Sequence, residues 1–320
     1  MRTRESYCIE GTGPRGAVAL LLTRWNGIGD DIAALPVVAE LARKKSVTVY
    51  TTHPELWRGV SGAVVAVAGD EMTCDNGEFL GMWWDDEHRN KFELIYKLSG
   101  WGCWEDNEFA KHSRTRFEQL AEILGCEVPE SFDYKSALLA CMRFAFAKPY
   151  TVLAPQSHGV MRSLPLERGT ELYEQAVNFE NTLLLADGSY GDERELRCVS
   201  LRELIDVVYN AERVIGIDNG IAHIAAALGR PLTVIAGMTD ANNIFSQYEK
   251  FNPNWEFQFI QQPGHECESP CYGMKARGFS NQLCCGSYAL PKCMESVNTG
   301  EVVSLVYSEA VTQKNAILTQ

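Results

Sequence analysis

The sequence predicts an α/β protein made of two successive domains, each built from alternating strands and helices. At 320 residues the chain is long enough for two domains of ordinary size, each with its own apolar core. Short apolar runs rich in β-branched residues alternate with helical stretches, which is typical of parallel sheets covered on both faces. We expect the first domain over residues 1–147 and the second over residues 148–320, because the alternation starts again at Tyr150.

The first domain is predicted to open with a strand at Ala17 to Leu22, a turn at Arg24 to Asp31 and an amphipathic helix at Ile32 to Lys44. A second helix is expected over residues 113–125, with a Ser cap and Gly125 as its C-cap. The other strands of this domain are predicted at Ser46 to Tyr50, Val64 to Val67 and Phe92 to Leu98.

The segment Gly11 to Gly16 fits the pattern G-x-G-x-x-G, but it does not indicate a dinucleotide site. That fingerprint follows a strand and opens a helix, whereas this segment precedes the first predicted strand. The second predicted strand is followed by Thr51, Thr52 and His53, where a nicotinamide dehydrogenase needs a carboxylate for the ribose. The dehydrogenase class is therefore disfavoured.

The second domain repeats the alternation of strands and helices. Its strands are predicted at Tyr150 to Ala154, Thr182 to Ala186, Val214 to Ile217 and Leu232 to Ile235. Its helices are predicted at Arg168 to Phe179, Leu201 to Asn210, Ile221 to Leu228 and, at the end, Thr299 to Leu318.

The turn after the third strand of this domain is the predicted ligand site. Asp218, Asn219 and Gly220 follow that strand, and ligands of parallel sheets bind outside the carboxyl ends of the strands. A helix N-terminus carries roughly half a positive charge and unpaired N–H groups, which suits a phosphate. Asp218 and Asn219 are also common helix-capping residues, so a structural role explains the local pattern equally well.

The composition, 46% apolar and 22% charged, is that of a soluble globular protein. The net charge of -13 argues against a nucleic-acid partner and against electrostatic docking on an anionic membrane. No apolar run approaches the ~20 residues of a transmembrane segment, and no secretory signal opens the chain. We expect a cytoplasmic protein whose contact with the inner face of a membrane, if any, is local.

Three segments resemble motifs of glycosyltransferase family 9, the heptosyltransferases. Gly27 to Pro36 (GIGDDIAALP) is similar to the family's G-[DI]-G-D-x-x-x-x-L-P turn. Arg162 to Glu167 (RSLPLE) is similar to its K/R-x-W-P-x-E segment, with Leu164 in place of the usual Trp. Asp218 to His223 (DNGIAH), followed by a small-residue helix, G-x-P and a strand, is similar to the C-terminal D-x-G-x-x-H signature. The three motifs occur in the family's order.

The resemblance implies the GT-B fold, in which two Rossmann-like domains face each other across a nucleotide-sugar cleft. It also implies an inverting transfer of a sugar, a heptose from ADP-heptose, onto a glycan, lipopolysaccharide-core or protein acceptor. The alternative is a catalytically inactive nucleotide-sugar-binding protein of the same fold, because Leu164 and Asp31 depart from the family's pattern. No D-x-D triplet occurs in the chain, so we expect no metal cofactor for the chemistry.

The resemblance also implies roles for residues of the motifs. Asp30 is the expected catalytic base, with Asp31 as a rival, since two adjacent carboxylates raise one pKa. Capping of the following helix is the structural alternative for both. Arg162 is expected to act in catalysis by holding the diphosphate. The expected substrate-binding residues are Gly29, Asp187, Asp218, Asn219, Gly220, His223 and Met238; Asp187 and Met238 are placed there by their positions after strands.

Five of the eleven cysteines cluster near the C-terminus, in a Cys-rich segment over residues 264–295. Four thiolates can surround Zn²⁺ or iron, so a structural metal is one interpretation. A redox-labile disulfide and buried thiols are the others. The proposed ligands are Cys267, Cys271, Cys285 and Cys293.

Overall fold

The computed structural model describes residues 8–22, 27–60, 64–68, 90–98, 115–140, 148–157, 162–186, 188–191, 195–198, 200–262 and 291–308. The chain divides into two compact units, Met1–Ala140 and Cys141–Gln320. Each unit contains one five-stranded sheet. No helix in the described ranges is long and apolar enough to cross a membrane.

The sheet of the first unit is parallel except at one edge. Its strands are β1 (Cys8–Glu10), β2 (Ala17–Leu22), β3 (Ser46–Thr51), β4 (Val64–Ala68) and β5 (Leu94–Lys97). They lie in the order β1-β5-β2-β3-β4, and the β1–β5 pair is antiparallel. The helices are α1 (Ile28–Ala42), α2 (Arg116–Leu124) and α3 (Tyr134–Ala137), with a 3₁₀ turn at Pro54–Trp57. Strand β3 lies on one side of β2, and β5 lies on the other. The strand order therefore reverses between β2 and β5, and ligands of such sheets bind at this position.

Helix α1 begins at Ile28, four residues earlier than the predicted start at Ile32. Its N-cap Gly27 is extended, and the Gly27 N–H donates to Asp30 Oδ2 at 2.9 Å. Carboxylates are favourable in a first helical turn, where the free N–H groups carry partial positive charge. Asp30 and Asp31 therefore belong to the helix, as do all of the last four residues of the predicted turn, 28–31.

Helix α1 contains Pro36, which lacks an N–H and so leaves the carbonyl of Ile32 without its helical donor. The hydroxyl of Tyr134 in α3 donates to this carbonyl at 3.3 Å. A tertiary hydrogen bond thus replaces the missing helical one and ties α3 to α1.

Helix α2 is capped by Thr115 and not by the Ser expected at the start of the predicted helix. Thr115 Oγ1 accepts from the N–H of Glu118, whose carboxylate accepts from the N–H of Thr115 in return. This reciprocal capping box places Arg116 in the first helical position.

The sheet of the second unit is parallel throughout. Its strands are β6 (Thr151–Ala154), β7 (Thr182–Leu184), β8 (Arg213–Ile217), β9 (Leu232–Ala236) and β10 (Phe257–Gln261), in the order β10-β9-β8-β6-β7. The helices are α4 (Leu166–Ala176), α5 (Leu201–Asn210), α6 (Gly220–Ala227), α7 (Ala241–Phe245), α8 (Lys292–Glu295) and α9 (Thr299–Val306), with a 3₁₀ turn at Ser246–Lys250. Here the strand order reverses between β6 and β8.

Helices of the second unit pack in two pairs, and one apolar cluster joins the sheet to one of these pairs. Helix α4 packs against α9, and α5 packs against α6. Leu153 and Ile215 from the strands pack with Leu172 of α4 and with Val302 of α9 in one apolar cluster. The described part of the closing helix ends at Val306, and residues 309–318 of the predicted helix lie outside the described ranges.

Candidate functional site

Asp30 lies in the first turn of α1, just beyond the carboxyl end of β2. Its Oδ2 accepts the N–H of Gly27 at 2.9 Å, and its Oδ1 lies 3.0 Å from Nη1 of Arg116. The Asp30 side chain is 22% exposed, so part of the carboxylate is in contact with solvent. Gly29 is buried beside it. The carboxylate therefore both caps the helix and presents an accessible edge.

Asp31, the rival base, is fully buried. Its Oδ2 accepts the hydroxyl of Thr51 and lies 3.2 Å from Nδ1 of His53. Burial raises the pKa of Asp31, an effect that the hydrogen bonds to His53 and Thr51 oppose. Burial and these contacts hold Asp31 against the end of β3, away from solvent.

Arg116 is a residue of this site that the sequence analysis missed. It lies on α2 together with the buried side chains of Phe117, Leu120 and Leu124. A charged residue next to such an apolar stripe is seldom buried without a partner. That pattern could have indicated that Arg116 pairs with a carboxylate, although not with which one.

In the second unit, Asn219 links the ends of the two strands at which the strand order reverses. Its Oδ1 accepts the N–H of Ala222 at 2.9 Å and so caps α6. Its Nδ2 donates to the carbonyl of Ala154, the last residue of β6, at 3.2 Å and to that of Gln156, two residues later, at 2.8 Å. The capping interpretation is thus correct for Asn219, and its amide also holds β6 to the start of α6, which begins at Gly220.

Arg162 and Asp218 meet at the same edge of the sheet. Arg162 Nη1 lies 3.3 Å from Asp218 Oδ2, and the two side chains are 30% and 3% exposed. The two residues that follow Arg162 are both anchored. Ser163 Oγ accepts from the N–H of Ser157 at 2.9 Å, and Leu164 is buried in the apolar cluster. Leu164 therefore fills a core position where the family's motif has Trp.

His223 lies behind Asp218, inside the first turn of α6. Its Nε2 is 3.6 Å from Asp218 Oδ1, and its Nδ1 is 2.8 Å from the hydroxyl of Tyr248. His223 is buried, and its ring packs 4.8 Å from that of Phe245. Tyr248 is a second residue that the sequence analysis did not single out.

Met238 is buried in the loop after β9. Gln261 of β10 shapes this loop, because its Nε2 donates to the carbonyl of Gly237 at 2.8 Å. A Cβ on Gly237 would lie 2.5 Å from Cys293 Sγ, so the glycine makes room for the thiol of α8. Cys293 is itself a member of the apolar cluster that contains Leu164.

The other residues proposed from the sequence are not placed by the structure. Asp187, Cys267, Cys271 and Cys285 lie outside the described residues. Within the ranges that are described, no group of three or more His, Cys, Asp or Glu residues is arranged to hold a metal ion. The proposed cysteine cluster therefore stays a prediction.

The chain is similar to known proteins in sequence over part of its length and in fold over most of it. Residues 114–268 match the family model of glycosyltransferase family 9 (heptosyltransferase), a range that includes Arg162 and the turn at Asp218. No curated protein matches the sequence.

Solved structures share the fold at low sequence identity. The iron-containing dodecameric glycosyltransferase TibC from enterotoxigenic E. coli aligns with a TM-score of 0.61 and 12% identity, over 95% of this chain and 78% of TibC. TibC in complex with ADP-D-beta-D-heptose aligns with the same score and 13% identity, over 95% of this chain and 80% of TibC. E. coli heptosyltransferase WaaC with ADP aligns with a TM-score of 0.54 and 14% identity, over 91% of this chain and 99% of WaaC.

These matches test the resemblance that the three motifs carry. The family model covers two of the motifs, and the solved structures share the α/β architecture with parallel sheets. The family model confirms the resemblance to glycosyltransferase family 9 (heptosyltransferase) over residues 114–268, and the solved structures show that the chain has the GT-B fold.

Proposed function

We propose that this protein is an inverting glycosyltransferase that moves a heptose from ADP-heptose onto a glycan, lipopolysaccharide-core or protein acceptor in the cytoplasm. The observation that carries the proposal is the Arg162–Asp218 pair, which lies where the strand order reverses between β6 and β8. Support for the donor comes from the TibC structure with ADP-D-beta-D-heptose and the WaaC structure with ADP.

In the proposed reaction, an acceptor hydroxyl attacks the anomeric carbon of the donor. A bond forms between the hydroxyl oxygen and that carbon, and the bond from the carbon to the diphosphate breaks. The electron pair of the broken bond leaves with ADP, and Asp30 takes the hydroxyl proton. Asp30 suits this role because Gly27 and Arg116 fix its orientation while one edge stays exposed.

The charge that develops on the departing diphosphate needs fixed donors. Arg162 supplies a guanidinium whose direction Asp218 sets, and α6 supplies the N–H groups of its first turn, beginning at Gly220. We assign the supporting roles to Asn219 and His223, which hold this turn in place. The remaining proposed substrate-binding residues are Gly29, Asp187 and Met238.

We propose that the transfer itself needs no metal, since the chain has no D-x-D triplet to hold a metal–diphosphate complex. A structural Zn²⁺ or iron ion bound by Cys267, Cys271, Cys285 and Cys293 remains a separate proposal. The buried thiol of Cys293 packs against Gly237 in apolar surroundings, which fits a core residue and adds no support for a metal ligand. The metal content of the purified protein tests this proposal directly.

Calorimetric titration of the protein with ADP, UDP, GDP and CMP tests the donor class. We expect binding of ADP and much weaker binding of the other three nucleotides. Preference for another nucleotide would keep the reaction type and change the sugar. If none of the four binds, the glycosyltransferase proposal fails.

A second test separates catalysis from binding alone. The alternative is a nucleotide-sugar-binding protein without turnover, in which the carboxylate of Asp30 only caps α1 and pairs with Arg116. If Asp30 is the base, Asp30→Asn lowers transfer by about 10²- to 10⁴-fold and leaves ADP affinity unchanged. The control is Asp133→Asn, which alters the capping carboxylate of α3 and is expected to keep transfer. Full transfer by Asp30→Asn would refute the mechanism.

A further inference from the structure

Four side chains form a connected row from the core of the second unit to Arg162. The hydroxyl of Tyr248, which is fully buried, lies 2.8 Å from Nδ1 of His223. His223 Nε2 faces Asp218 Oδ1 at 3.6 Å, which is longer than a hydrogen bond but close enough for an electrostatic contact. Asp218 Oδ2 lies 3.3 Å from Nη1 of Arg162, whose side chain is 30% exposed. The row thus connects a buried hydroxyl with a guanidinium that reaches solvent.

The order of donors and acceptors along this row follows from the chemistry of the groups. A carboxylate only accepts hydrogen bonds, so the imidazole nitrogen that faces Asp218 carries the hydrogen. In neutral His223 that nitrogen is Nε2, which leaves Nδ1 as an acceptor for the Tyr248 hydroxyl. Tyr248 therefore favours the tautomer of His223 that presents an N–H to Asp218.

We propose that Tyr248 is a positioning residue for Arg162. Acting through His223 and Asp218, it fixes the direction in which the guanidinium presents its remaining N–H groups to an anionic ligand. The ligand itself, a nucleoside diphosphate, rests on the proposed function. The row of contacts does not depend on the proposed function, so the positioning role and the ligand are tested separately.

A double-mutant cycle on ADP affinity tests the coupling between Tyr248 and Arg162. We expect Tyr248→Phe to weaken ADP binding about fivefold, as for the loss of one hydrogen bond. In an Arg162→Ala background, the same change is expected to have no further effect. Equal losses in both backgrounds, or no loss in either, would overturn the proposal.

The matched control is Tyr150→Phe. Tyr150 is also a buried tyrosine of this unit, but its hydroxyl donates to the carbonyl of Val207 at 2.7 Å and not to the row. We expect this variant to bind ADP like the wild type. A loss equal to that of Tyr248→Phe would indicate a general effect of removing a buried hydroxyl and would also overturn the proposal.

A measurement in the absence of nucleotide tests the positioning role of Tyr248 independently of the sugar donor that the protein binds. The guanidinium N–H signals of ¹⁵N-labelled arginine are recorded for the wild type, and Arg162→Ala identifies the signal of Arg162. We expect Tyr248→Phe to shift this signal and Tyr150→Phe to leave it in place. An unshifted signal in Tyr248→Phe would refute the positioning role. If the wild type binds no ADP, the proposed function fails, and this signal still decides the role of Tyr248.

Discussion

Arg116 Nη1 lies 3.0 Å from Asp30 Oδ1, so the first residue of α2 holds the carboxylate in the first turn of α1. The Arg116 side chain is only 10% exposed, which makes this contact different from a solvated surface ion pair. Helix capping by Gly27 and pairing with Arg116 engage opposite oxygens of Asp30. The orientation of Asp30 is therefore set by two elements of the fold.

We expect Arg116→Met to lower transfer about tenfold, because Asp30 loses the partner that fixes one of its oxygens. The free energy of unfolding should fall by about 1–3 kcal/mol, as for the loss of a partly buried charged hydrogen bond. Arg116→Lys should retain part of the transfer activity and part of the stability that Arg116→Met loses. Transfer assays, ADP titration and urea unfolding measure these effects.

Arg43→Met is the control for Arg116→Met. Arg43 pairs with Glu40 at the end of α1, but its side chain is 69% exposed, so its loss should change neither transfer nor stability appreciably. A fully active Arg116→Met variant would contradict the positioning of Asp30 by Arg116. ADP affinity should be the same as in the wild type for both variants.

Asn219 is expected to be more important for stability than an ordinary helix cap. Asn219→Ala removes the cap of α6 and leaves two carbonyls, those of Ala154 and Gln156, without their donor. We expect a loss of about 2–4 kcal/mol in the free energy of unfolding, together with weaker ADP binding.

Asn298→Ala is the matched control for Asn219→Ala, because Asn298 only caps α9 through the N–H of Glu301. Asn298→Ala should lower the free energy of unfolding by about 1 kcal/mol. Asn219→Thr keeps a capping oxygen and loses both donors to the carbonyls, so its stability should lie between those of Asn219→Ala and the wild type. Equal losses for Asn219→Ala and Asn298→Ala would show that the contacts to β6 contribute nothing.

The buried carboxyl of Asp31 should make stability fall as the pH rises. Burial raises the pKa of Asp31 in the folded state above its unfolded value, so the folded protein binds this proton more tightly. The resulting stabilisation is complete below the unfolded pKa of about 3.9 and is lost as the pH rises through the folded value. The stability of the wild type relative to Asp31→Asn should therefore decrease from about pH 4 upward. Thermal unfolding of the wild type and of Asp31→Asn at increasing pH measures this difference in stability.

Asp133 provides a control with the opposite sign. Its hydrogen bonds with Ser136 lower its pKa, so its contribution is present above the unfolded pKa and lost as the pH falls. The stability of the wild type relative to Asp133→Asn should therefore increase with pH. If the Asp31→Asn comparison shows the same sign as the Asp133→Asn comparison, the effect of burial on Asp31 is contradicted.

Much of the fold could be predicted because its signals are local. The bounds of β2 (Ala17–Leu22) and α5 (Leu201–Asn210) agree with the prediction, since an apolar run marks the strand and the N-cap Ser200 marks the helix. The strands β1 and β10 were not predicted. Both lie at sheet edges, and β10 is partly exposed along its length, so it lacks the continuous apolar run of a buried strand.

The sequence by itself determined the alternation of strands and helices, the three motifs and the segments in which Asp30, Arg162 and Asp218 lie. Only the tertiary structure decided what these side chains contact. Arg116 pairs with Asp30 across 86 residues, and Arg162 pairs with Asp218 across 56. Such pairs depend on which strands are neighbours and which helices pack together. That information is physically nonlocal, because hydrogen bonds and ion pairs form between atoms a few ångströms apart, however far apart in sequence their residues lie.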